Sequence, residues 1–99
     1  MPAHEKLNYV ELPARDLDAT KQFFAQAFGW TFEDYGPDYI AFSNEGLDGG
    51  FYRADLQARS EAGSALLVFY SARIEETLAK VEAAGGTILK SVFEFPGGR

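Results

Sequence analysis

The sequence predicts an α+β fold with an internal repeat, and three observations carry the prediction. Sliding the chain on itself by 57 positions sets Val10 on Leu67, Leu12 on Phe69, Leu17 on Ile74, Asp18 on Glu75, Thr20 on Thr77, Phe24 on Val81 and Gly29 on Gly86. A shift that keeps residue class across several elements matches strand faces and helix faces together, which marks duplicated architecture. Residues 7–13 alternate between two faces, as a strand with one side in a helix-covered core requires. The stretch after Asp16 carries a helical apolar stripe and closes on a glycine.

In the first strand Tyr9 and Glu11 point one way and Val10 and Leu12 the other; Pro13, which lacks a ladder donor, is expected to end it. Asp16 suits the N-cap of the next helix, where Leu17, Thr20, Phe24, Ala27 and Phe28 share a face while Lys21 and Gln22 turn to water. Gly29 supplies a left-handed C-cap, and Trp30 reads as core. Residues 30–35, 39–43 and 51–54 read as three more strands, with a turn at 36–38 and a loop at 45–50 that takes in Gly49 and Gly50. That is one βαβββ unit over residues 6–55, followed by a polar connector at 56–63.

The partial second unit, 64–99, starts again. An apolar run at 65–70 suggests a strand buried on both faces. A helix follows with Ile74, Leu78 and Val81 inward, Glu75, Glu76, Lys80 and Glu82 outward, and a stop at Gly85-Gly86. Residues 87–95, rich in β-branched and aromatic side chains, read as its second strand, and 96–98 as a turn. This copy is shorter than the first, so the expectation is that a partner supplies the remainder or that the chain is a fragment.

Composition fits one domain over residues 1–99, with 46% hydrophobic and 15% aromatic residues to fill one core. Fifteen acidic residues against nine basic, for a net charge of −6, disfavour nucleic acid and anionic membranes, and the basic residues form no stripe. With no cysteine there is neither a disulfide nor a thiolate metal site. No apolar run approaches membrane-spanning length, and a soluble, cytoplasmic protein is expected.

The run ELPARDLDATKQFFAQAFGWTFE, with its echo LVFYSARIEETLAKVEAAGG, resembles the vicinal oxygen chelate superfamily, which includes glyoxalase I, extradiol dioxygenases and bleomycin-resistance proteins. It is most similar to the small glyoxalase-like members whose first helix ends in Phe-Gly-Trp, here Phe28-Gly29-Trp30. The resemblance implies paired βαβββ units forming a cupped mixed sheet around a cavity, the second unit being incomplete in this chain. It also implies a homodimer, and a divalent metal held by His, Glu or Gln from strand positions. The family's first-strand ligand sits seven residues before the capping Asp, which is Tyr9 here; the equivalent position in the second unit is Leu66. A neutral phenol and an aliphatic side chain are poor ligands, so no metal is expected.

Glu11 is the candidate catalytic residue. It shares a strand face with Tyr9, and a carboxylate on an apolar cavity wall is how a general base is poised. The alternative is a Glu at a wetted rim or paired with Arg53. Tyr9, Tyr39, Phe51, Arg53 and Tyr70 are the candidate ligand-binding residues, an aromatic pocket with one cation, against the alternative that the aromatics are plain core. The function expected is that of a glyoxalase-like protein of undetermined reaction, its enzymatic reading being a lyase or isomerase acting on a small oxygenated metabolite. The alternative is a non-catalytic small-molecule binding protein of the bleomycin-resistance type.

Overall fold

A computed structural model describes residues 3–56 and 59–89. Its elements are β1 (Tyr9–Ala14), α1 (Leu17–Phe28), β2 (Phe32–Asp34), β3 (Tyr39–Phe42), β4 (Asp48–Arg53), a short 3-10 turn (Ser60–Ala62) and α2 (Ile74–Ala83). The four strands form one mixed sheet in the order β1-β4-β3-β2. β1 runs parallel to β4, and the other two pairings are antiparallel. The α+β class and the first βαβββ unit are as expected.

α1 forms where local chemistry defines both its ends. The Asp16 carboxylate accepts from the Ala19 backbone N–H at 3.0 Å, and Gly29, at φ 73°, takes the left-handed turn that closes the last carbonyls. Leu17 and Ala27 are buried, and Leu17, Phe24 and Phe28 pack in the core with Trp30, Ile40, Phe42 and Phe51. The Trp30 ring lies 4.5 Å from that of Phe42 and 4.7 Å from that of Phe24, so the core is mainly aromatic. Burying rings of this size contributes roughly 1.5–3 kcal/mol each. α2 begins at Ile74, 57 residues after the first residue of α1, and packs on α1. The helix of the second unit therefore keeps the register of the repeat.

Several expectations are corrected. β1 continues through Pro13 to Ala14, because it is an edge strand and needs ladder donors on one side only. β4 starts at Asp48, so Gly49 and Gly50 are strand interior and not turn. A Cβ on Gly49 would come within 2.3 Å of the Val10 carbonyl oxygen, and one on Gly50 within 2.3 Å of the Tyr39 hydroxyl. These glycines are there for close approach of their neighbours. Lys21 does not simply face water; its Nζ lies 2.8 Å from Asp34 Oδ1 and ties α1 to β2.

The expected strand at 65–70 does not form. Leu66, Val68 and Tyr70 are 74%, 85% and 91% exposed, although the Phe69 ring stacks on Phe28 at 4.9 Å. A strand needs a partner. In the first unit β1 pairs with β4, whereas among the described residues no strand pairs with 65–70. Residues 87–89 are irregular, and the rest of the strand expected at 87–95, with the turn at 96–98, lies outside the described residues. Among the described residues no helix is long and apolar enough to cross a membrane.

Candidate functional site

With α1 on one face, the period of two sends alternate side chains to the other. The registers align three rows on that open face. Across β2, β3, β4 and β1 the middle row is Glu33, Ala41, Gly50 and Glu11. On one side of it lie Tyr39, Tyr52 and Pro13, and on the other Asp48 beside Tyr9. The middle row is thus a floor of two small residues between two carboxylates. Neighbouring strands are about 4.8 Å apart, so Glu33 and Glu11 stand about 14 Å from each other.

Over this floor lies the Tyr39 side chain. It leaves β3, crosses β4 above Gly50 and brings its hydroxyl to 2.5 Å from the Tyr9 hydroxyl on β1. Burial pushes the Tyr39 phenol well above its ordinary pKa of 10.0, helped by its hydrogen bond to Tyr9 and by the Glu11 carboxylate beside it. Tyr35 is also raised, chiefly because its phenol donates to Glu33. Both phenols are neutral donors at physiological pH. Beside Tyr39 the face opens into a cavity of about 510 Å³, with Tyr9, Glu33, Tyr35, Tyr39, Ala41 and Asp48 in its lining.

The structure therefore brings together Tyr9, Glu11 and Tyr39, as their strand parity implies. It does not bring Phe51 or Arg53 to them. Phe51 is 6% exposed and belongs to the core under α1, because Tyr52 is the β4 residue on the open face. Arg53 shares the parity of Phe51; it pairs with Asp38 at 3.0 Å and donates to the Pro37 carbonyl at 2.8 Å, so it is not the partner of Glu11. Tyr70 stands in the exposed segment at 65–70 and lines a different, apolar hollow with Phe28 and Trp30. Glu11 is exposed, so the apolar wall expected around it is not formed by the described residues.

Asp48, Glu33, Tyr35 and Gly50 are part of this face and were not among the candidates. The spacing Glu33-x-Tyr35 is the period-two signal that could have found two of them. As for a metal, no group of three or more His, Cys, Asp or Glu side chains converges among the described residues. The first-strand position holds a phenol engaged with another phenol, and the second, Leu66, has no donor atom. The residues described do not fit a divalent ion.

Comparisons with known proteins agree with this architecture. Residues 6–99 match the model of the Glyoxalase/Bleomycin resistance protein/Dioxygenase superfamily. Among solved structures, a glyoxalase/bleomycin resistance protein/dioxygenase family enzyme from Burkholderia phytofirmans PsJN superposes with a TM-score of 0.66 at 20% identity, over 93% of this chain and 83% of that one. A glyoxalase-related enzyme from Fulvimarina pelagi gives 0.66 at 20% identity, over 95% and 75%. A bleomycin resistance determinant encoded on the transposon Tn5 gives 0.58 at 17% identity, over 89% and 72%. At these identities the likeness shows the fold. A search of curated proteins finds no match. By its family match and its fold, the chain belongs to the Glyoxalase/Bleomycin resistance protein/Dioxygenase superfamily.

Proposed function

We propose that the chain binds a small organic molecule on the open face of its sheet without transforming it. The observation that supports this most is the Tyr9–Tyr39 phenol pair, which closes one side of the cavity with two hydrogen-bonding hydroxyls and the faces of two rings. A resistance determinant shares the fold, and a binding role is compatible with a first-strand position taken by Tyr9. The test is calorimetric titration with a set of planar aromatic fragments of different charge. Saturable binding that tolerates a chelator, and that Gly50→Ala weakens about tenfold by displacing Tyr39, supports the reading. No saturable binding by any member of the set would end it.

A second reading, proton transfer in a lyase or isomerase reaction, is favoured by one observation: the Glu11 carboxylate lies beside the Tyr39 phenol, giving a base next to a neutral acid. Turnover that disappears in Glu11→Gln would select it. In either reading the chain acts as a homodimer. The exposure of Leu66, Val68 and Tyr70, and an outer side of β1 that no strand among the described residues pairs with, support association with a second copy.

A further inference from the structure

The cavity beside Tyr39 has an uneven chemistry. Its floor is the methyl group of Ala41, its walls include the rings of Tyr35 and Tyr39, whose centroids are 6.4 Å apart at 65°, and its charged groups are Glu33 and Asp48. No Lys, Arg or His lines it among the described residues. Of the cations near these residues in sequence, Lys21 pairs with Asp34, Arg53 with Asp38 and Arg15 with Asp55, while Lys6, three residues before Tyr9, is not among the lining residues. Among the described residues Glu33, Asp48 and Glu11 enter no ion pair, so their charges reach the cavity uncompensated in a chain of net charge −6.

Local hydrogen bonds do not cancel this field. Asp48 Oδ1 accepts from the Asn44 backbone N–H at 3.2 Å, which orients that carboxylate and leaves it an oxygen to spare. Neutral phenol rings present negative π faces, which attract cations and add to the carboxylate potential. An anion would meet carboxylates with no counter-charge, and an aliphatic ligand would leave the ring faces unused.

Resting on the binding role proposed above, we infer that the ligand is a planar organic cation, seated over Ala41 with its flat face on the Tyr39 ring and its positive charge between Glu33 and Asp48. The charge follows from the two carboxylates and the absence of a basic lining residue. Planarity follows from the small floor and the phenol walls.

The experiment is a titration of the full chain, at low and at moderate salt, with three probes of similar shape: N-methylquinolinium, quinoline and naphthoate. At neutral pH these are a cation, a neutral ring system and an anion. The expected result is that N-methylquinolinium binds saturably, that quinoline binds about tenfold more weakly, and that naphthoate does not bind. Salt should weaken the cation's binding and leave quinoline's almost unchanged. Glu33→Gln and Asp48→Asn should each weaken the cation by about threefold to tenfold, while Arg59→Ala, away from the face, changes nothing. Naphthoate or quinoline binding as tightly as the cation would overturn the cation assignment and leave the binding role standing. If no probe binds saturably, both fail.

Discussion

Tyr39 reaches Tyr9 across an intervening strand, and it does so because residue 50 has no side chain. The two hydroxyls are 2.5 Å apart although β4 separates their strands, and an ideal Cβ at Gly50 would stand 2.3 Å from the Tyr39 hydroxyl oxygen. A backbone position on β4 thus shapes a side-chain pair made by its two neighbours.

Gly50→Ala should therefore displace the Tyr39 ring and cost about 1–3 kcal/mol, the usual penalty for overfilling a packed site. Chemical denaturation reads the loss. Adding Tyr39→Ala should recover part of it, because the ring is the group the new methyl meets; full additivity of the two losses would show that the ring does not lie over residue 50.

Alkaline pH should act through the same ring. Burial, the Tyr9 hydroxyl and the Glu11 carboxylate favour the protonated phenol, so the folded-state pKa of Tyr39 lies above its unfolded value of 10.0. The stabilisation is fully present below pH 10.0 and is lost as pH rises through the folded-state value. Denaturation midpoints above pH 10.0 should fall more steeply in the wild type than in Tyr39→Phe; parallel curves would remove the interaction from the account.

The helix phase is tested by Phe24→Ala against Lys21→Ala. Phe24 packs between Trp30, Phe51 and Phe69, and its loss should cost about 3 kcal/mol. Lys21 makes a half-exposed ion pair with Asp34, so its loss should cost under about 1 kcal/mol. Equal melting temperatures for the two variants would contradict the observed face of α1.

Association is the next expectation. Leu66, Val68 and Tyr70 stand in one exposed run, and among the described residues β1 has no strand on its outer side. Sedimentation equilibrium at tens of micromolar should show a dimer, and Val68→Lys should shift it toward monomer. A wild-type monomer at that concentration would refute the homodimer.

What could be read in the sequence was what is written locally. α1 is delimited by Asp16 and Gly29, and β1 by strict alternation, so their faces were legible. The repeat set α2 in register with α1. The start of β4 was not legible, because Gly49-Gly50 has turn propensity and is held extended by Val10, Phe42 and Tyr39, none of them close in sequence. Nor was the parity of β4. Phe51 and Tyr52 are adjacent aromatics, and only pairing with β1 and β3 determines which of them faces the core. The Tyr9–Tyr39 contact depends on the strand order β1-β4-β3, a property of the assembled sheet.

On the proposed binding role the open face, and not the apolar hollow near residues 66–70, receives the ligand. Amide chemical-shift mapping with N-methylquinolinium on isotopically labelled protein tests this most directly. The shifted amides should cluster at Tyr9, Glu33, Tyr39, Ala41 and Asp48, with saturation at a single affinity. Shifts confined to Leu66, Leu67, Phe69 and Tyr70, with the open face silent, would contradict it.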